Sequence, residues 1–299
     1  MESSAVTSAS ARVVTTPAEM HRVADEIRAA GLTIGFVPTM GYLHDGHLQL
    51  LRKARELADV VILSIFVNPT QFSANEDLGA YPRDFERDKA LAEAEGTQII
   101  YNPSPESMYP EGFQTQVNLP GMTNVLCGVS RPHHFPGVAQ VCAKLFNAVK
   151  PHFAVFGLKD FQQYLVVTQM VKDLDMDLKV VGIPIVREKD GLAMSSRNVY
   201  MTPAEREQAV VLNQSIKLAE KAVAEGERDA ARLLDLVRGH IATAPAADID
   251  YVEIRSIPGL ATVEGRIEKP VLLAMAVKFG KARLLDNTVL LREQPNANV

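Results

Sequence analysis

The chain reads Pro38-Thr39-Met40-Gly41-Tyr42-Leu43-His44-Asp45-Gly46-His47 at the point that decides its fold. An apolar run of β type lies just before it at residues 33–37, and leucines and alanines at helical spacing follow it. We therefore predict a strand-to-helix turn, with a helix that begins near Asp45 and with Gly41 and Gly46 letting the backbone bend tightly. Such a turn directs free backbone N–H groups and the positive end of the helix towards one point, which favours an anion.

Two histidines lie in this turn, and they have two interpretations. His44 and His47 are three residues apart, which predicts both imidazoles on one face of the first helical turn. A histidine that continues the apolar stripe of a helix often only caps the core. Two histidines together with two glycines at one strand–helix junction favour a site for phosphate chemistry instead.

The alternation of strands and helices predicts an α/β fold with a doubly wound, Rossmann-like parallel sheet, whose site lies beyond the carboxyl ends of the strands. The run 59–67 is almost continuously apolar, as in strands buried on both faces. The proline-rich segment 103–136 is predicted to be irregular, with one short strand near 114–119. The other predicted elements are helices at 17–30, 84–95, 137–149 and 161–174 and strands at 98–101, 153–156 and 178–186.

A second, smaller α+β domain is predicted from Arg187 onward. Thr202-Pro203-Ala204-Glu205 is a capping box that begins a helix. A further helix at 229–242 and three strands at 249–254, 271–279 and 282–290 complete it. The predicted divisions are a disordered leader at 1–12, a first domain at 13–186, a C-terminal domain at 187–291 and a tail at 292–299.

Composition excludes several classes of protein. With 299 residues, 47% apolar and 22% charged, the chain has the size and make-up of a two-domain globular protein. Its net charge of −5 argues against nucleic acid or an anionic membrane as a partner. No apolar run reaches the roughly 18 residues of a membrane span, and the first residues lack the features of a signal peptide. Two cysteines, Cys127 and Cys142, fit reduced thiols in a cytoplasmic protein.

Polar residues gather where the predicted strands end. Gln71 follows one strand, and its amide suits a ligand with hydroxyl and carboxylate groups, although it could equally tie the loop to its own backbone. Asp88 could help to hold Mg²⁺ through water, or could be a solvated helix carboxylate. His134, in the pair 133–134 before a helix, fits substrate or anion contact better than zinc, since no ligand partner has suitable spacing.

Two further stretches suit a nucleotide. Gly157-Leu158-Lys159-Asp160 follows a strand and opens a helix that carries Gln163; glycine permits close approach, and lysine supplies a charge for phosphate. Neither a P-loop nor a Gly-x-Gly-x-x-Gly fingerprint is present. Met194-Ser195-Ser196-Arg197 offers two hydroxyls and a guanidinium, a grip for triphosphate, with a helix cap or an interdomain ion pair as the alternative.

The order of these blocks resembles a known family. The histidine turn matches the HxGH signature of nucleotidylyltransferases, and the loop at 194–197 resembles its mobile KMSKS-type partner. All five blocks, with the further block at 284–287, resemble the pantothenate synthetases (pantoate–β-alanine ligases) over roughly residues 14–290. The resemblance implies that ATP and pantoate form pantoyl adenylate and pyrophosphate, after which β-alanine gives pantothenate and AMP, a step of coenzyme A biosynthesis.

The resemblance also implies roles for residues. His47 would be the proton donor, with His44, Lys159 and Arg197 as further catalytic residues, and Asp88 would lie near Mg²⁺. The implied ATP contacts are Met40, Gly41, His44, Gly46, His47, Gly157, Leu158, Lys159, Asp160, Val186, Met194, Ser195, Ser196 and Arg197. The implied contacts to pantoate or β-alanine are Pro38, Thr39, Met40, Gln71, His134 and Gln163. Leu158 departs from the charged residue common in relatives. The family also implies a cytoplasmic homodimer that binds neither nucleic acid nor membranes, with an ATP- and pantoate-binding domain at 13–186 and a lid at 187–291.

Two other functions are compatible with parts of the sequence. Another HxGH nucleotidylyltransferase would transfer AMP to a phosphorylated acceptor, which would need a basic pocket, whereas Gln71 and Gln163 are neutral amides. A non-catalytic nucleotide-sensing module would bind ATP without turnover. It would leave the loop at 194–197 and both glutamines without a role.

Overall fold

The computed structural model describes residues 10–73, 78–79 and 81–292. Most of the predicted leader at 1–12 and nearly all of the predicted tail at 292–299 lie outside these residues, but Arg12 already belongs to a strand. The chain forms two compact units. The first comprises the chain up to Leu119 with Arg131–Leu158 and Gln163–Pro184; the second comprises Pro120–Ser130, Lys159–Gln162 and the chain from Ile185 onward.

The first unit contains a parallel sheet, as the sequence predicts, and the sheet has six strands. Its strands are β1 (Arg12–Val14), β2 (Ile34–Thr39), β3 (Val60–Ile65), β4 (Ile99–Tyr101), β5 (Phe153–Gly157) and β6 (Lys179–Ile183). Their order is β1-β4-β3-β2-β5-β6. The order reverses between the neighbours β2 and β5, and a doubly wound sheet binds its ligand at such a switch point. The histidine turn follows β2, and Gly157 ends β5.

Helices flank this sheet, and the helix His134–Val149 is buried along most of its length. They are α1 (Pro17–Ala29), α2 (Asp45–Leu57), α3 (Phe85–Ala94), α4 (Pro105–Met108), α7 (His134–Val149) and α8 (Phe161–Asp173). The core on one side of the sheet includes Val37, Leu51, Leu63 and Ile100, all with no exposed surface. Nowhere in the described ranges is a helix long and apolar enough to cross a bilayer.

Two predictions for this part of the chain are wrong in detail, and one strand was not predicted. No strand forms at 114–119; the proline-rich segment instead contains α4 and the short helices α5 (Pro120–Thr123) and α6 (Cys127–Ser130). Helix α7 begins at His134, three residues early, because Pro136 lies in its first turn, where a missing N–H breaks no helical hydrogen bond. Strand β1 was not predicted, since three residues are too few to show alternation.

The second unit contains the predicted α+β fold, together with residues 120–130 and 159–162, which the prediction placed in the first domain. Its long segment contains α9 (Pro203–Gln208), α10 (Val211–Ala224), α11 (Ala230–Ile241), β7 (Ala247–Ser256), β8 (Val271–Phe279) and β9 (Ala282–Leu290). The strands form an antiparallel sheet in the order β7-β8-β9. Leu212 and Leu233 of the helices pack with Leu273 and Val277 of β8 in one core. The capping box at Thr202 is present: its side chain accepts from the Glu205 N–H, and Glu205 accepts from the Thr202 N–H.

Candidate active site

The turn after β2 folds around the carboxylate of Asp88. The N–H groups of Tyr42 and Leu43 donate to its two oxygens at 2.6 and 2.7 Å. Gly41 has φ +84°, and a Cβ there would lie 2.9 Å from Oδ2 of Asp88, so the turn requires glycine. The Asp88 side chain is only 1% exposed; burial raises its pKa, and the hydrogen bonds from Leu43 and Tyr42 oppose that rise. Asp88 therefore holds the turn in place.

His44 and His47 lie against each other at the start of α2. Their ring centroids are 4.1 Å apart, with an angle of 38° between the planes. The N–H of Gly46 donates to Nδ1 of His44 at 3.1 Å, and the N–H of His44 donates to Nδ1 of His47 at 3.3 Å. A nitrogen that accepts carries no proton, so both neutral rings hold their proton on Nε2. Both imidazoles are thus set as Nε2–H donors.

These contacts correct the prediction that the turn offers free backbone N–H groups. The amides of Tyr42, Leu43, His44 and Gly46 all have acceptors within the protein. The role predicted for Gly46 also changes, because a Cβ there would lie 2.8 Å from Cε1 of His44. Its glycine makes room for the imidazole and is not needed for a left-handed backbone.

Gln71 is buried in the short turn Pro69–Gln71 after β3, where its neighbours set the direction of its amide. Nδ2 of Asn68 donates to Oε1 of Gln71 at 3.2 Å, and Nε2 of Gln71 lies 3.0 Å from the sulfur of Met40. Nδ2 of Asn68 also donates to the carbonyl of Gly137 at 3.1 Å, and because a carbonyl can only accept, this contact fixes which end of Asn68 donates. Oδ1 of Asn68 accepts from the hydroxyls of Tyr109 at 2.9 Å and Thr70 at 3.0 Å. The NH₂ group of Gln71 therefore points towards Met40, which belongs to the turn after β2.

His134 joins the same group through the backbone of Gln71. Its Nδ1 lies 3.2 Å from the carbonyl oxygen of Gln71, and because a carbonyl can only accept, Nδ1 carries the proton. The start of α7 approaches this closely only because residue 137 is glycine. A Cβ at Gly137 would lie 2.6 Å from the carbonyl oxygen of Thr70 and 2.7 Å from Cα of Gln71. The first unit thus brings Met40, Gln71 and His134 together.

Gly157 and Leu158 lie at the end of β5, the other strand of the switch point. The Leu158 side chain covers Gly182 of β6, where a Cβ would lie 2.6 Å from Cδ2 of Leu158. Leu158 therefore packs on the sheet, and only its backbone can serve a nucleotide. Gln163, half-buried in the first turn of α8, stays a predicted pantoate contact. Its neighbour Gln162 is structural, with Nε2 donating to the carbonyls of Met122 and Val125 at 2.9 and 2.7 Å.

Lys159 and Asp160 belong to the second unit. Nζ of Lys159 lies 3.5 Å from a carboxylate oxygen of Asp160, and the Lys159 side chain is 20% exposed. The carbonyl oxygen of Lys159 accepts a hydrogen bond of 2.8 Å from Nδ2 of Asn287 on β9. The backbone of the predicted catalytic lysine is therefore anchored to the small sheet.

The loop at 194–197 also belongs to the second unit and continues a small hairpin. Arg187 pairs with Ala193 across this hairpin, and the N–H of Met194 donates to the carbonyl of Val186 at 2.9 Å. Ser195 caps the short helical turn Ser196–Tyr200 by accepting from the N–H of Arg197 at 3.2 Å. One hydroxyl of the predicted triphosphate grip thus also serves as a cap, as the alternative interpretation suggests.

Charged residues hold this hairpin. Glu188 accepts from Nδ2 of Asn198 at 2.9 Å, and Arg206 pairs with Glu188 at 2.7 Å and with Asp190 at 2.8 Å. Burial alone would raise the pKa of Asp190, but hydrogen bonds from the Leu192 N–H and Arg206 outweigh it and lower that pKa. These hydrogen bonds and ion pairs therefore hold the hairpin that precedes the loop at 194–197.

Among the side chains that the structure describes, no three His, Cys, Asp or Glu residues are grouped so as to hold a metal ion. Both oxygens of Asp88 accept backbone hydrogen bonds, and its side chain is 1% exposed, so the carboxylate faces the turn and not solvent.

Three candidate residues were missed from the sequence. Asn68 and Tyr109 set the amide of Gln71, and Asn287 holds Lys159. A signal existed for Asn68, a polar residue directly after a buried strand. Tyr109 and Asn287 are distant from their partners in the chain, so no local pattern connects them.

Comparisons with known proteins agree with one another. A family model described as pantoate-beta-alanine ligase matches residues 12–289. The pantothenate synthetase of Pelotomaculum thermopropionicum is 54% identical over 278 residues, which cover 93% of this chain and 98% of the relative.

Two solved structures are similar over nearly the whole chain. The pantothenate synthetase from Thermus thermophilus matches with a TM-score of 0.86 and 42% identity, covering 93% of this chain and 98% of that one. The pantoate-beta-alanine ligase from Francisella tularensis, complexed with beta-gamma ATP and beta-alanine, matches with a TM-score of 0.76 and 30% identity. That match covers 93% of this chain and 97% of the other.

Proposed function

The chain belongs to the pantoate–β-alanine ligase family, and from this premise we propose which of its residues carry out the reaction. The enzyme condenses pantoate with β-alanine at the expense of ATP. A carboxylate oxygen of pantoate attacks the α-phosphorus of ATP, and pyrophosphate leaves. The amine of β-alanine then attacks the acyl carbon of pantoyl adenylate, and AMP leaves. The comparisons do not favour transfer of AMP to a phosphorylated acceptor.

The observation that carries the residue assignment is the pair of Nε2–H imidazoles at the switch point. Negative charge develops on the phosphate oxygens as pyrophosphate departs, and donors already set at that point stabilise it without reorganisation. His44 and His47 are fixed as donors by amides of their own turn. We assign to His47 a hydrogen bond from its Nε2–H to the leaving phosphate, with His44 beside it; transfer of the proton itself would first require protonation of Nδ1.

Positive charge comes from residues of the second unit. Lys159 and Arg197 are assigned to the triphosphate, and Ser195 and Ser196 to further phosphate hydrogen bonds. A phosphoryl centre needs positioning and charge compensation more than a protein nucleophile. The domain at 13–186 would bind ATP and pantoate, and that at 187–291 would act as the lid.

Pantoate is assigned to Gln71 and Gln163, with His134 close to the same site. Because Oε1 of Gln71 is taken by Asn68, Gln71 presents its NH₂ group, which suits a carboxylate or hydroxyl oxygen. A neutral NH₂ donor suits pantoate, which carries one negative charge. A phosphorylated acceptor carries more negative charge and would need a basic pocket.

Mg²⁺ is proposed to arrive with ATP. Magnesium is usually held by substrate phosphates, waters and one or two carboxylates, and Asp88 already uses its oxygens within the fold. A cytoplasmic homodimer is proposed from the family resemblance, and the two buried free cysteines fit a reducing compartment.

The test follows pyrophosphate and AMP with ATP, Mg²⁺ and pantoate, with and without β-alanine. We expect about one pyrophosphate per site before β-alanine is added and AMP only afterwards. His47→Ala should slow adenylate formation by a factor on the order of 10²–10⁴, whereas His21→Ala, on α1, should match the wild type. Near-normal turnover of His47→Ala would refute the role given to His47.

A further inference from the structure

Strand β9 buries three consecutive polar side chains, which is unusual for a strand. Asp286, Asn287 and Thr288 are 1%, 7% and 6% exposed. Successive residues of a strand point to opposite faces, and buried polar groups need partners, so each of the three must be satisfied separately. Asn287 contacts Lys159, a predicted ATP contact, and Asp286 contacts Arg187, which follows the predicted contact Val186. Thr288 donates to Glu220 of α10 at 2.6 Å.

Asp286 holds the hairpin that leads into the loop at 194–197. Arg187 donates to both of its carboxylate oxygens, NH1 at 2.7 Å and NH2 at 2.9 Å. NH1 also donates to the carbonyl of Gly191 at 3.0 Å, which closes the hairpin turn. A bidentate pair fixes both distance and orientation, so the start of the loop is tied to β9.

Asn287 holds the other part of the predicted site. Its Nδ2 donates to the carbonyl of Lys159 at 2.8 Å, while its own N–H donates to Oδ1 of Asp286 at 2.8 Å. Two adjacent residues of one strand thus anchor the lysine and the hairpin, and they are linked to each other by a hydrogen bond.

We propose that Asp286 and Asn287 are a positioning pair that sets the spacing between Lys159 and the loop at 194–197. This inference rests on the proposed function of those residues. Neither member is assigned contact with ATP; each acts through the backbone it holds. A lysine side chain is flexible, so its reach to phosphate depends on where its backbone is fixed, and small misplacements of catalytic groups reduce rates strongly.

The test compares two variants of Asn287 with a control from the same buried run. Asn287→Ala removes the donor to Lys159, and Asn287→Asp removes it while keeping the side chain's size. Thr288→Val removes a buried hydrogen bond that involves neither site element. Pantoate-dependent exchange between ATP and pyrophosphate at saturating substrates should fall about 10- to 100-fold in the Asn287 variants that fold. It should stay near wild type in Thr288→Val, even where the melting temperatures fall equally.

A double variant distinguishes this inference from the assignment of Lys159. If Lys159→Ala alone slows exchange, adding Asn287→Ala should cost little more, because both changes remove the same contribution. Independent, multiplied losses would overturn the positioning role, as would a normal exchange rate in Asn287→Ala. A normal rate in Lys159→Ala would instead overturn the role of the lysine itself.

Discussion

Nδ1 of His44 lies 3.1 Å from the amide nitrogen of Gly46 and 2.9 Å from the place that a Cβ of residue 46 would occupy. Gly46 of the HxGH signature therefore helps to position the imidazole of His44. Any side chain at position 46 would displace the His44 imidazole, which the backbone amide of residue 46 orients.

Gly46→Ala should accordingly slow adenylate formation by a factor on the order of 10², because the added methyl group moves the His44 ring. The measurement is pyrophosphate release in a single turnover. Gly239→Ala is the matched control, since a Cβ in that part of α11 meets no atom within 4 Å. Equal rates for the two variants would contradict the steric role of Gly46.

Asp88→Asn should destabilise the protein by about 1–3 kcal/mol, because an amide cannot accept from both backbone N–H groups and leaves one of them unpaired. Urea unfolding measures the change, and adenylate formation should fall with it as the turn loosens. Glu86→Gln, an exposed change on the same helix, is the control. Full stability in Asp88→Asn would show that the carboxylate does not hold the turn.

Tyr109→Phe should raise the KM for pantoate about 3- to 10-fold, because Asn68 loses one of the two hydroxyl donors that orient it. The KM for ATP should not change. Tyr101→Phe is the matched control, since that buried hydroxyl lies near only the sulfur of Met108, at 3.6 Å, among the contacts described. An equal effect on both substrates would argue against a specific role in setting Gln71.

Lys159→Ala should reduce the rate of adenylate formation by a factor on the order of 10² while leaving pantoate affinity nearly unchanged. The side chain is assigned to the triphosphate, whose charge grows in the transition state. Single-turnover rates at several pantoate concentrations separate the two effects, with Lys172→Ala, exposed on α8, as control. A defect confined to pantoate affinity would be inconsistent with this assignment.

His152 should make the stability of the protein depend on pH. Its Nδ1 accepts from the N–H of Ile34 at 2.9 Å, and burial, with the charge of Arg28, lowers its pKa. Below a pH of about 6.5, the unfolded chain therefore binds a proton at His152 that the folded chain does not bind. The free energy of unfolding should fall as the pH drops below that value. Urea unfolding at pH 7.5 and 5.5 tests this. His152→Asn keeps an acceptor without titrating and should show a smaller difference; an unchanged difference would exclude His152 as the cause.

The sequence was sufficient where its pattern was long and local. Strands β8 and β9 form at the predicted residues because runs rich in apolar residues lie on both sides of an obvious Gly-Lys turn. The start of α2 at Asp45 follows from the apolar stripe behind it. The parallel sheet, the α+β domain and the family are all confirmed.

Contacts between distant residues escaped prediction. Nothing near the histidine turn indicates that Asp88 supplies acceptors for Tyr42 and Leu43, and nothing near Lys159 points to Asn287. The ligand-binding roles of the site residues stay predictions, because the contacts explain how the side chains are placed and not which of them meet ATP or pantoate.

The buried Asp88 has a consequence for how the enzyme uses binding energy. The turn is of the kind that attracts an anion, and the chain supplies one from its own helix α3. The entropy of ordering the turn is therefore lost during folding and not when ATP arrives. Attraction between ATP and the enzyme is then available to stabilise the transition state instead of being spent on shaping the site.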